Sequence, residues 1–394
     1  MTVEGDAEAR DSDAGPRRPE FLELFFDLVY LLALVVLSRK LVDHLTWASA
    51  GQTVILLMGF SLIWALTAWA ADTFDLNRPT VQAQIIAVSF GSLVMAAAVP
   101  GAFGNRGLVF AVAYLSIHFA SSLYYIVLLR DPEPRRRSVR IMSWFCTSAP
   151  LWLTGALLGG TVRWVLWAIA IVLEYTGASL GFPTRRRIHP PVTEWRLAGE
   201  RVSERYRQFL IIAFGVAIFE TATALGRHPF TIGRGAAFAA TFVTTTMMWR
   251  IYIHQAGGML TNAIATATHR SRYTQFAAVS HVVMVGGVII TSVDAQLVIR
   301  RPYGDTPTSW GVVILGGPAV FLIGRGLLDY TVFSRMSWSR PAGLAVLGAL
   351  GSAVHLMPPL LVAVAGTLTL LGVAVANLIA VRAYPPRPTP PPIG

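Results

Sequence analysis

Glu23 and Asp27 open the stretch ELFFDLVYLLALVV at 23–36, four residues apart in an otherwise apolar run. On a helix that spacing stacks both carboxylates on one face, and Tyr30 and Leu34 continue the same stripe. Other apolar runs also carry acids: Asp72 and Asp75, Glu174, Glu220, Asp294, and Asp329 four residues after Arg325. A carboxylate inside a membrane span that alternates between charged and neutral forms can couple proton movement to transport, with an arginine such as Arg325 as counter-ion or anion contact. Glu23, Asp27, Glu174, Glu220, Asp294, Arg325 and Asp329 are therefore the candidate coupling or cavity residues, together with His281. His118 and His355 offer the same proton-shuttle chemistry, and each of the three histidines has a plainer use as a hydrogen-bond partner of a neighbouring helix. The acids have a plain reading too. Those at span ends reach water, and Arg325 neutralises Asp329 or Asp27.

Asp72 and Asp75 form a DxxD pair at the end of a span. Paired acids of this kind can hold a divalent cation against a diphosphate, and with Asp27 they define an alternative reading: an enzyme embedded in the membrane that acts on a lipophilic substrate. A divalent metal belongs to that alternative only, and no other cofactor is expected. The chain has no HExxH, no spaced Cys/His set and no GxGxxG, and its single cysteine, Cys146, lies within an apolar run.

The elements that must position these groups follow from composition. The chain is 54% hydrophobic and 13% charged, against about 25% charged for a soluble domain. Apolar runs recur at 21–38, 50–71, 81–101, 107–129, 141–160, 162–182, 208–226, 235–253, 274–298, 309–333, 341–357 and 359–382. None alternates in polarity as a membrane β-strand does. The expected fold is an all-α integral membrane protein of about twelve transmembrane helices, the last two separable either as spans or as a re-entrant pair.

Charge orients the spans. Five arginines fall in 130–140 and seven in 183–207, whereas each connection on the opposite side carries at most two basic residues. The positive-inside rule then puts both termini inside. It also explains the net charge of +11 without nucleic acid, because the arginines sit in short loops where lipid headgroups meet them. The lipid bilayer and a small-molecule substrate are the expected partners. The expected organisation is a disordered cytoplasmic tail at 1–20, a first six-helix half at 21–182, a basic cytoplasmic loop at 183–207, a second six-helix half at 208–383 and a Pro-rich tail at 384–394. Six plus six is a pattern of transporters built from two halves. The inner loop holds no phosphate-cradling motif, which excludes an attached ATPase.

ELFFDLVY resembles the signature of the bacterial low-temperature-requirement A family of multi-span membrane proteins. WAADTFDLNR at 69–78 is similar to that family's Trp-rich segment, and Glu174 within LWAIAIVLEYTGASL stands where the family carries an acid. ERYRQFLIIAFG at 204–215, MWRIY at 248–252 and SHVVMVGGVIITSVD at 280–294 resemble later blocks in the same order. The resemblance covers most of the chain and implies a multi-pass protein of the bacterial plasma membrane. Its departures fall at Val36, Asp72, Arg201 and Val216, where the family carries Gln, Asn, His and an acid. Glu220 follows Val216 by one turn on the same face, so a carboxylate has moved by about 6 Å along the helix. The family's name describes a growth phenotype, so the resemblance implies a fold and leaves the reaction open. The leading functional expectation is a proton-coupled secondary transporter or exporter of a small molecule.

Overall fold

The computed structural model describes residues 21–74, 76–128, 132–184, 199–256, 270–333 and 336–383. These form twelve α-helices: α1 Phe21–Asp43, α2 Trp47–Thr73, α3 Pro79–Ala98, α4 Gly107–Leu128, α5 Pro132–Leu158, α6 Gly160–Ser179, α7 Gly199–Gly226, α8 Ile232–Ala256, α9 Arg270–Arg300, α10 Thr308–Phe333, α11 Ser339–Ser352 and α12 Pro359–Ala383. Ten are long and apolar enough to cross a membrane. The protein is an all-helical polytopic membrane protein.

Two helices depart from the ten. α8 has the length, but its run of threonines and the charges of Arg234 and Arg250 reduce its apolar character. α11 has only 14 residues, reaching about 21 Å at ~1.5 Å per residue, short of a hydrocarbon core of ~30 Å. It ends in a turn at Val354–Leu356, where His355 is exposed. The stretch 341–357, expected as a span or half of a re-entrant pair, is thus a short helix and a turn before the long α12. A second difference lies at 183–207, where α7 already begins at Gly199, inside the stretch expected as a loop.

α1 shows why these sequences pack as they do. Phe26, Asp27, Tyr30, Ala33, Leu34, Leu37 and Leu41 are buried, whereas Leu24, Leu28 and Leu32 are exposed. Both faces are apolar, as a helix between protein and lipid requires. Helices α3 to α6 pack in sequence, and α7 to α12 gather around α9 and α10. The two groups meet where α1 and α2 contact α7 and α9.

The tightest crossing is between α9 and α10. A Cβ at Gly287 would stand 2.5 Å from the Phe321 nitrogen, and one at Gly324 would stand 2.8 Å from the Met284 nitrogen, so backbone rests on backbone there. The turn from α5 to α6 uses Gly159 and Gly160 at φ 69° and 52°, a region that favours glycine. Arg163 secures that turn, donating to the carbonyls of Gly155, Ala156, Ala102 and Gly104 at 2.7–3.1 Å. One side chain thereby satisfies last-turn acceptors of α5 and ties them to the connection between α3 and α4.

Candidate functional site

α1 and α7 run parallel and are joined by charge at both ends. Near their starts, Arg205 of α7 lies 3.6 Å from Glu23 and 3.8 Å from Asp27 of α1. Near their ends the signs are exchanged, and Arg39 of α1 donates to Glu220 of α7 at 2.8 Å. Between the two contacts the seam is apolar. Arg205, Phe209, Ala213, Val216 and Glu220 follow one another on a single buried face of α7, opposite Tyr30 and Leu34.

Asp27 is 7% exposed and also faces the indole N–H of Trp64 at 3.5 Å. Trp64 stacks on Phe209 with centroids 4.6 Å apart, and the Arg205 guanidinium lies 5.6 Å over its ring. Such packing holds a cation by dispersion and by the ring quadrupole, and the Arg205 Nη1 donates to Gln208 at 2.8 Å. From Trp64 a file of aromatic groups crosses the bundle. Tyr206 contacts Trp64 and stacks on His281, whose Nε2 is 3.0 Å from the Tyr252 hydroxyl. The other ring nitrogen of His281 donates to the Ala277 carbonyl at 2.7 Å.

Beyond Tyr252, the neighbouring Ile251 carbonyl accepts from Arg325 at 3.3 Å. Arg325 pairs with Asp329 within α10, and Arg340 of α11 approaches the second Asp329 oxygen at 3.3 Å. Arg340 also donates to Asn377 of α12 at 2.8 Å. This acid between two arginines is the reverse of Arg205 between two acids. Of the two partners open to Arg325 in the sequence, the structure supplies Asp329, while Asp27 receives Arg205.

Glu174 occupies a separate place in α6, 1% exposed, and accepts from Tyr114 at 2.6 Å, Ser148 at 2.6 Å and Trp152 at 2.8 Å. All three donors are neutral. Asp294, 2% exposed, has one carboxylate oxygen with no hydrogen-bond partner. Asp72 lies in the last turn of α2, and Asp75 lies outside the described residues. Among the described residues no three His, Cys, Asp or Glu side chains gather as a metal site.

Arg205, Arg39 and Arg340 complete the site, yet the sequence reading passed over all three. Each stands near a helix end, where an arginine resembles the many that follow the topology rule. The usable signal for Arg205 is its periodicity with Phe209, Ala213, Val216 and Glu220.

The helices and this enclosed charge define a polytopic membrane protein with ionisable groups on its inner seam. Residues 18–375 match the family described as Bacterial low temperature requirement A protein (LtrA), and the chain belongs to that family. It is 30% identical over 380 residues, 95% of this chain and 92% of the relative, to Uncharacterized protein RA0937 of Rhizobium meliloti (strain 1021). No solved structure matches the chain.

Proposed function

We propose that this LtrA-family protein is a proton-coupled secondary transporter of a small molecule, set in the bacterial plasma membrane with both termini cytoplasmic. The observation that carries this reading is the α1–α7 seam, closed by an ion pair near each end around an apolar middle. Alternating access needs a contact surface that opens at one end while the other end holds. A proton taken up by Asp27 or Glu220 converts the carboxylate to a neutral acid and removes the Coulomb attraction to its arginine. The clasp at that end is then weakened without any change at the other. Glu174, with three neutral donors, is the third candidate for proton exchange.

The reading is tested by metabolite profiling of cytosol, membrane and medium from cells carrying the native chain, Asp27→Asn, Glu220→Gln or no copy. Each strain is measured with and without a protonophore. The proposal expects one compound to move between compartments, with the movement lost in both variants and on collapse of the proton gradient. A compound that disappears everywhere while another accumulates would instead establish an enzyme and overturn transport. A redistribution that survives both substitutions and the protonophore overturns the coupling.

A further inference from the structure

Two cavities lie among α2 to α5, away from the α1–α7 seam, and they share a wall. The larger is a groove of about 860 Å³ between α3 and α4, open toward the lipid. Its floor is a row of small residues, Ala83, Ala87 and Gly91 on α3 facing Ala113, Ser116 and Ala120 on α4. It extends from Thr80 and Tyr124 at one end to Val94 and Leu108 at the other, about 21 Å at ~1.5 Å per residue. The smaller is a chamber of about 40 Å³ behind it, lined by Thr67, Gln84, His118, Ser121, Ser122 and Tyr125 among others.

Gln84, Ile117 and Ser121 line both cavities. Gln84 donates to Ser121 at 2.9 Å and accepts from Tyr125 at 3.1 Å, so the polar part of the partition, beside Ile117, is a pair of side-chain hydrogen bonds. Inside the chamber stands His118, 4% exposed, stacked 3.7 Å from Phe145, with its Nε2 lacking any hydrogen-bond partner. A buried polar atom left in that state costs free energy that a ligand reaching it would recover.

We propose that groove and chamber together form one binding site for a single-chain, uncharged amphiphile, its chain lying along α3–α4 and its hydroxyl head reaching Gln84 and His118. Charge selects the class: among the described residues, no Asp, Glu, Lys or Arg lines either cavity. A carboxylate, phosphate or ammonium head would lose its hydration there with no opposite charge to meet it. Size selects the head, because the chamber, at about 40 Å³ against about 860 Å³ for the groove, admits a small polar group and not a bulky one. Chemistry selects a hydroxyl, which both donates and accepts and so matches His118 in either tautomer. The site goes beyond the transport reading and is independent of it, since it shares no residue with the seam.

The test uses the full-length protein in nanodiscs of zwitterionic lipid, labelled by hexadecanol carrying a diazirine on its chain. Labelling is mapped by mass spectrometry and challenged with unlabelled hexadecanol, palmitate and hexadecyltrimethylammonium. The expected result is saturable labelling of α3 and α4, displaced by hexadecanol and not by the two charged competitors. Ala87→Leu, which fills the groove from its floor, abolishes labelling. His118→Phe keeps the ring stack and weakens binding by about tenfold, the loss of one buried hydrogen bond. Non-saturable labelling, equal displacement by palmitate, or labelling untouched by Ala87→Leu overturns the proposal in favour of bulk lipid. Protection of the groove by a crosslinkable second copy overturns it in favour of an interface. Unchanged affinity in His118→Phe leaves the chamber to water and overturns the assignment of the head.

Discussion

Asp27 of α1 and Arg205 of α7 face each other at 3.8 Å, close enough for an ion pair and too far for a hydrogen bond. Glu23 shares the same guanidinium at 3.6 Å. One cation serves two acids, and its removal leaves both without it.

Arg205→Gln should therefore destabilise the protein by about 3–5 kcal/mol, the range for breaking a buried pair from one side. Adding Asp27→Asn to Arg205→Gln should recover a large part of the loss, since the buried charge goes with its partner. Tryptophan-fluorescence melting of the four proteins in detergent closes this double-mutant cycle. Equal additivity of the two single losses would show that the pair is not coupled.

Glu174 predicts a contrast between two substitutions. In Glu174→Gln the amide keeps an acceptor for Ser148 and Trp152, and its NH2 donates to a reoriented Tyr114 hydroxyl. The cost should stay near ~1 kcal/mol. Glu174→Leu strands the Tyr114 and Trp152 donors at about 1–3 kcal/mol each, leaves Ser148 only the Phe145 carbonyl, and should lower the melting temperature far more. Thermal melting of the two variants side by side checks the order.

Arg163 should not be replaceable by lysine. Its guanidinium meets four carbonyls, two in the last turn of α5 and two in the α3–α4 connection, whereas an ammonium offers three donors from one point. Arg163→Lys should cost about 2–3 kcal/mol from the bonds it cannot remake. Limited proteolysis at the α5–α6 turn, compared with the native chain, reports the loosening.

These predictions divide the molecule by what its sequence discloses. Each of the twelve apolar runs coincides with a helix, because lipid demands long apolar segments with satisfied backbones and leaves few alternatives. The run at 341–357 shows the limit, since apolar character alone does not separate a span from the short α11. Asp27, Glu174 and Glu220 were visible as expensive residues in apolar runs. Their partners were not, because Arg205 and Arg39 resemble loop arginines, and Tyr114, Ser148 and Trp152 come from helices that no spacing rule connects. The extension of α7 back to Gly199 follows the same logic: only tertiary pairing with α1 explains why a charged stretch is helical and buried at Arg205.

Glycine packing gives a further contrast. Gly287→Ala would place a methyl 2.5 Å from the Phe321 nitrogen and 2.9 Å from the Gly317 carbonyl oxygen. The helices must part, at a cost of about 1–3 kcal/mol. Gly372→Ala in α12 meets nothing within 4 Å and should be neutral or stabilising by up to ~1 kcal/mol. Paired melting curves of the two alanine variants decide it.

The same crossing fixes where the molecule can bend. With main chain against main chain at Gly287, Gly317 and Gly324, α9 and α10 lack an intervening layer of side chains that could change rotamer as the helices slide. They should travel as one stiff slab. Spin labels on α9 and α10 should keep a single narrow distance distribution under every condition, whereas a pair placed across α1 and α7 should broaden when Asp27 loses its charge. Under the proposed transport function, the slab would supply the fixed frame and the seam the bearing.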